Sequence, residues 1–160
     1  MIVTSAQERG RQVLQSNKYV ALATVDANGP WAATLAYTIG SDHGLYFFSH
    51  TSARHVKAVL GSNHKVAGVI YDSHCTPETA ESLQFSGTVE LTHDRRSILQ
   101  LLSAEQAHEV EKILQNDETL LFRIVMKDAY VLDQELYAAK GIDGRQAVDV
   151  RYLFNGQAGP

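Results

Sequence analysis

Two segments of this chain alternate large hydrophobic residues with polar or small ones, and several others are short apolar runs, which together predict a protein built mainly from β-strands. The alternation is strictest over residues 83–92, where Leu, Phe, Gly, Val and Leu occupy every second position. Asn28-Gly29 separates the first two apolar runs, and this dipeptide is the strongest short-range signal for a β-hairpin. The pattern predicts strands over residues 19–25, 31–39, 45–49, 65–71, 83–92 and 120–132, with a shorter one near 135–139.

A few segments instead carry apolar residues at helical spacing. The first begins with a capping box formed by Ser5 and Glu8, and we expect it to end at Asn17. Two more helices are predicted between the last two long strands, the second opened by Ser103. Strands joined by hairpins and short helices form an antiparallel sheet, and so many strands would leave open edges unless the sheet closed on itself. We therefore expect a mainly β fold, a barrel with peripheral helices.

The run from Trp31 to Ile39 has two different faces, because successive strand residues point to opposite sides of a sheet. The odd positions are mostly bulky and suit a core: Trp31, Ala33, Leu35, Tyr37 and Ile39. The even positions are small throughout: Ala32, Thr34, Ala36 and Thr38. The small face would let a ligand or partner approach the backbone, or it would pack under a helix. The pattern favours neither.

Composition and charge narrow the possible functions. The net charge of −4 is spread along the chain with no basic stripe, which argues against a nucleic-acid partner. No apolar stretch reaches the roughly 18 residues of a membrane-spanning helix, and the N-terminus does not resemble a secretory signal. A single cysteine, Cys75, indicates a reducing compartment, so we expect a cytoplasmic protein. The seven histidines include no His-x-x-x-His pair, and we expect no metal site.

The segment 44–57 combines the end of a strand, a group of hydroxyl residues and the start of a helix. Thr51 or Ser52 is expected to cap this helix, and Arg54 and His55 lie in its first turn. Its buried side is expected to carry Val56, Val59 and Leu60. A helix N-terminus attracts anions, and an Arg can hold phosphate through two parallel hydrogen bonds. Taken alone, the pattern fits a capped surface helix better than a phosphate site.

Four sequence motifs, taken in their order along the chain, favour the phosphate site over the capped surface helix. They are the strand segment Ala33 to Thr38, the strand end Phe48-Ser49, the basic pair Arg54-His55, and Gln84-Phe-Ser-Gly87. This series resembles the pyridoxamine 5′-phosphate oxidase-like FMN-binding split barrels, over about residues 20–91 and more loosely over 130–145. The resemblance implies an antiparallel split β-barrel of FMN-binding type. We expect one domain over residues 1–154 and a flexible tail over 155–160.

The resemblance also implies roles for residues at the cofactor. Arg54 and His55 would bind the FMN phosphate, and Ser49 would add a hydroxyl group. Phe48, next to Ser49 at the strand end, belongs to the same implied site.

The flavin ring would lie against a different part of the chain. Ala33, Thr34 and Leu35 would meet the isoalloxazine mainly through backbone groups, and Gln84 would bond to its polar edge. No side chain is an evident catalytic acid or base.

Members of this family are homodimers that share each cofactor site, which implies that residues near Lys140 and Arg145 close the site from the partner. The oxidase itself has Lys in place of His55, Arg in place of Ala33, and a basic C-terminal segment with a tryptophan that this chain lacks. We therefore expect a small branch of the family and not the oxidase.

Two functions remain open from the sequence. The first is an FMN-dependent oxidoreductase that acts on a small molecule with a nicotinamide or deazaflavin electron donor. The second is a non-catalytic flavin- or haem-binding carrier or sensor, although no axial haem ligand can be named.

Overall fold

The computed structural model describes residues 5–40, 42, 44–61, 64–76, 80–92, 99, 104–132 and 144–154. The strands are β1 (Tyr19–Asp26), β2 (Gly29–Ala36), β3 (Thr38–Ile39), β4 (Leu45–His50), β5 (Lys65–Tyr71), β6 (Ser82–Leu91), β7 (Thr119–Leu132) and β8 (Arg145–Val148). The helices are α1 (Ala6–Ser16), α2 (Arg54–Leu60), α3 (Ala104–Leu114) and α4 (Val150–Phe154). None of these helices is long and apolar enough to span a membrane.

The strands form one antiparallel sheet in the order β2-β1-β5-β6-β7-β4-β3, and β8 pairs with β7 beside this path. The two outermost strands, β2 and β3, are consecutive in the chain and are joined only by Tyr37. One continuous segment therefore lies at both ends of the curled sheet. This half-barrel of antiparallel strands with short helices confirms the predicted split-barrel fold class.

The core lies inside the curl of the sheet, where the inward residues of every long strand meet. Phe47 of β4 and Phe122 of β7 stack with ring centroids 5.1 Å apart, and both are fully buried. Leu14 of α1 and Val56 of α2 are also fully buried in this core. Each such side chain contributes roughly 1.5–3 kcal/mol by leaving water, so the two helices are held by their apolar sides.

The sheet is irregular at one point, a shift of register between Ser86 and Gly87 where β6 meets β7. A Cβ atom built on Gly87 would overlap the backbone carbonyl oxygen of Val125. Only glycine allows the two backbones to come this close. The glycine of the Gln84-Phe-Ser-Gly87 element is therefore required by the packing of β6 on β7.

Several predictions from the sequence are confirmed by the described elements. Ser5 caps α1 and accepts a hydrogen bond from the Glu8 amide at 3.2 Å, and Asn17 ends that helix. The strand over residues 65–71 has the predicted bounds, and β1, β4, β6 and β7 differ from prediction by one residue at one or both ends.

Other predictions were wrong or concern residues outside those that the structure describes. The predicted strand over 31–39 breaks at Tyr37, because the chain there passes from one edge of the sheet to the other. β8 and α4 were not predicted. The predicted strand near 135–139, the cap Ser103 and the tail 155–160 lie outside the described residues.

Helix α2 differs from prediction at both ends. Its N-cap is Ala53, whose side chain makes no capping hydrogen bond, so neither Thr51 nor Ser52 caps it. Leu60 is 44% exposed, because the buried face of this short helix is centred on His55 and Val59. Leu60, one residue after Val59, turns toward solvent at the rim of that face.

Candidate functional site

The hairpin between β1 and β2 begins the site. The Asn28 amide donates to the Asp26 carboxylate at 2.8 Å, and Gly29 has a φ of +101°, which other residues rarely adopt. Trp31 follows on β2 and is 43% exposed. The prediction that the bulky face of this strand lies in the core was wrong for Trp31, because α2 and not the barrel interior lies beside it. The prediction holds for Leu35, which is buried in the core.

Arg54 is fixed against this hairpin by two contacts. Its Nε and Nη2 donate to the two carboxylate oxygens of Asp26 at 2.7 and 3.0 Å. Its guanidinium lies over the ring of Trp31, 4.7 Å from the centroid, as in a cation–π contact. The hydrogen bond from Arg54 holds the pKa of Asp26 below its ordinary value, and Asp26 raises the pKa of Arg54. Both groups are therefore charged at neutral pH.

His55 has a different environment. Its Nε2 lies 2.7 Å from the Ser49 hydroxyl, and the residue is only 8% exposed, beside Phe47. Burial lowers the pKa of His55 below the ordinary value, so the ring is neutral at neutral pH. The structure brings the predicted residues Ser49 and His55 together. In this environment His55 is a neutral hydrogen-bonding partner of Ser49.

The loop before α2 carries a second polar network. His50 bonds through Nδ1 to the Ser52 hydroxyl and through Nε2 to the Glu118 carboxylate, both at 2.7 Å. The Thr51 amide also donates to the Glu118 backbone carbonyl at 2.9 Å. These contacts attach the loop to the start of β7, next to the Ser49–His55 pair.

The small residues of β2 face outward and are exposed. Ala32 lies beside Ala23 of β1, which lies beside Ala67 of β5, and all three are exposed. We call the outward face made by Ala23, Ala32, Thr34 and Ala67 the small-residue surface. No helix in the described part of the chain covers it, so the helix-packing alternative left open by the sequence is not the one observed there.

The residues expected at the flavin ring lie further along the same sheet. Ala33 is half-buried and Leu35 is buried, so both can offer only backbone groups outward, while Thr34 is exposed. Gln84 shares a row of the sheet with Thr34, through Ala21 and Val69. Three strand spacings of about 4.8 Å separate them. Within one chain, Gln84 is therefore not adjacent to β2.

The remaining predicted site residues lie in other parts of the chain. The Phe48 side chain packs against Tyr46 and Leu121, on the face opposite the Ser49–His55 pair. Arg145 lies in β8 with its guanidinium 5.7 Å from the ring centroid of Tyr130. Lys140 lies outside the described residues. Among the residues that are described, no group of three His, Cys, Asp or Glu side chains is placed to hold a metal ion.

Sequence reasoning missed two residues that shape the site, Asp26 and Trp31. Asp26 stood only beside the predicted hairpin turn, and Trp31 was assigned to the bulky face that suits a core. Their contacts with Arg54 cross 28 and 23 positions of the chain. A local sequence pattern cannot reveal such pairs, because the partners are far apart along the chain.

Comparison with known proteins identifies the family to which the chain belongs. Residues 6–131 match the family model described as Pyridoxamine 5′-phosphate oxidase. Because the match covers well over half of the chain, the protein belongs to this family. No curated protein matches the chain significantly in sequence.

Solved structures share the fold at low sequence identity. A haem binding protein from Mycobacterium smegmatis matches with a TM-score of 0.70 and 14% identity, over 96% of this chain and 61% of that one. HutZ, the haem storage protein from Vibrio cholerae, matches with a TM-score of 0.62 and 18% identity, over 73% and 87%. A candidate pyridoxamine 5′-phosphate oxidase from Listeria innocua matches with a TM-score of 0.62 and 17% identity, over 80% and 98%. At these identities the likeness supports the fold alone.

Proposed function

We propose that the protein binds FMN along β2, with the phosphate at Arg54 and the isoalloxazine ring near Thr34. The observation that carries this proposal is the position of β2. It is an edge strand that pairs only with β1 among the described strands, so one side of its backbone is open to a ligand. Its outward side chains are small, and the side chain of Arg54 is held beside its first residues.

The residues present fit a phosphate-bearing ligand. Asp26 occupies Nε and Nη2 of Arg54, and a guanidinium has five N–H donors, so donors remain for a phosphate oxygen. The Ser49 hydroxyl lies near the end of β4, where it bonds to His55, the residue that follows Arg54. Helix α2 has only seven residues, so the proposal depends on these side chains and not on the helix dipole.

We propose that the bound flavin serves an oxidoreductase with a nicotinamide or deazaflavin donor and a small-molecule acceptor. The flavin supplies the redox chemistry, and the protein orients it. In this account Arg54 fixes the phosphate end, and the backbone of Ala33 to Leu35 orients the ring. The exposed position of Cys75, the only cysteine, fits a reducing, cytoplasmic setting.

We further propose a homodimer with shared cofactor sites. The outer face of β1, β2 and β5 carries large exposed apolar residues beside the small-residue surface: Tyr19 at 60%, Val25 at 51% and Tyr71 at 53% exposed. An exposed apolar patch of this kind is typical of an interaction surface. Within one protomer, Gln84 lies too far from β2 to contact a ligand bound there. A second chain on this face would place its own residues beside β2 and complete the site.

A second candidate is a non-catalytic carrier or sensor for flavin or haem. It is favoured by the haem binding and haem storage proteins among the structures with the same fold. The two candidates differ in turnover, and a haem carrier would also differ in its ligand.

One experiment separates these candidates. The purified protein is mixed with FMN or with haem, freed of unbound ligand by gel filtration, and its absorption spectrum is recorded. Retained flavin bands and steady NADH or NADPH oxidation support the oxidoreductase. Retained flavin that neither a nicotinamide nor a reduced deazaflavin donor turns over supports the carrier, and a Soret band with no retained flavin contradicts the FMN proposal.

A further inference from the structure

Asp26 forms an ion pair with Arg54, the cation on which the proposed phosphate site depends. The carboxylate is fixed in place, because its Oδ1 also accepts the Asn28 amide of the hairpin at 2.8 Å. The Arg54–Asp26 pair spans two elements, the start of α2 and the end of β1. Its side chains are 35% and 22% exposed, so the pair is open to solvent and to a ligand.

The charges around Arg54 nearly cancel. Asp26 balances the guanidinium at 2.7 Å, and His55 adds no positive charge because it is neutral when buried. A phosphate monoester carries close to two negative charges at neutral pH. Such a ligand at Arg54 would be attracted by the guanidinium and repelled by the Asp26 carboxylate.

We propose that Asp26 is a specificity-determining residue of this site, which competes with the ligand phosphate for Arg54 and so weakens the binding of dianionic phosphate monoesters. The inference rests on the proposed function, since it concerns the same site. Asp26 also orients Arg54, and loss of that orientation would weaken binding. For two like charges a few ångströms apart near water, the repulsion is comparable to about a fivefold change in affinity for each unit of charge. For a dianion we therefore expect the repulsion to exceed the benefit of orientation.

The variant Asp26→Asn tests this directly. Its side-chain oxygen can still accept the Asn28 amide, so the hairpin is retained, while the negative charge is removed. The matched control is Asp149→Asn. Asp149 also holds an arginine, Arg151, through both carboxylate oxygens and accepts a backbone amide, in a different part of the fold.

The affinity of each protein for FMN and for riboflavin is measured by flavin fluorescence quenching. We expect Asp26→Asn to bind FMN at least about fivefold more tightly than the wild type, with riboflavin affinity unchanged and with no effect of Asp149→Asn. If the wild type binds FMN and Asp26→Asn binds it equally or more weakly, this inference is overturned and the proposed function stands. An equal gain for riboflavin also overturns it, because the effect would not involve the phosphate. If neither protein binds FMN, the proposed function and this inference both fail.

Discussion

Arg54 and His55 are neighbours in the sequence but have opposite electrostatic environments. Arg54 is partly exposed, and its positive charge is held by Asp26 and by the face of Trp31. His55 points into the barrel, where burial opposes its protonation. The two residues therefore cannot contribute to an anion site in the same way. One provides charge, and the other positions a hydroxyl group.

The buried His55 predicts a pH dependence of stability. Its pKa is lowered in the folded protein, so below about pH 6.5 the unfolded chain binds a proton more readily than the folded one. The stabilisation is complete above that pH and is lost as the pH falls through the folded-state pKa. Thermal unfolding followed by circular dichroism should show a smaller loss of stability on acidification for His55→Gln than for the wild type.

The control for this prediction is His108→Gln, at an exposed position of α3. It should keep the pH dependence of the wild type. If His55→Gln and the wild type lose stability in parallel from pH 7.5 to pH 5, His55 is not the neutral buried group described above.

At the scale of elements, β6 combines Gln84, a predicted site residue, with a strict packing requirement. The Gln84-Phe-Ser-Gly87 element ends at the register shift, where β6 and β7 come close together. We expect Gly87→Ala to lower the free energy of unfolding by roughly 2 kcal/mol or more, because a backbone atom must move to admit the methyl group. Urea denaturation would measure this change.

Ser86→Ala serves as the comparison for Gly87→Ala. Ser86 is exposed and donates a 3.0 Å hydrogen bond to the exposed Asp128, so its loss should cost only about 0.5 kcal/mol. Equal and small effects of the two substitutions would show that β6 and β7 are further apart than described.

The elements also show what a sequence can reveal. β6 follows from its alternation of apolar and polar residues, and α1 follows from its cap, because these signals are local. The break at Tyr37 and the cap of α2 were missed, since both depend on how the sheet curls. The Ser49–His55 pair joins residues six positions apart within one predicted motif. The Arg54–Asp26 pair joins distant segments, and only the folded chain brings them together.

For the whole molecule, the exposed outer face of the sheet predicts association. Ala23 lies in the middle of that face, between Ala32 and Ala67. We expect the wild type to be a dimer and Ala23→Glu to shift it toward the monomer, because a buried charge without a partner destabilises an interface. Light scattering at micromolar concentration measures both.

The control is Ala104→Glu at the start of α3, where the added charge is also exposed. It should leave the dimer intact. A wild type that is monomeric yet binds FMN tightly would contradict the shared-site proposal.

The central claim is that Arg54 receives the phosphate of FMN, and a pair of titrations tests it most directly. FMN and riboflavin are titrated into the wild type, Arg54→Ala and the control Arg151→Ala, which loses a different Asp-bound arginine. The account predicts that the wild type and Arg151→Ala bind FMN at least about tenfold more tightly than riboflavin, and that Arg54→Ala loses most of this preference while remaining folded. Equal affinity of the wild type for the two flavins, or an unchanged preference in folded Arg54→Ala, would contradict it.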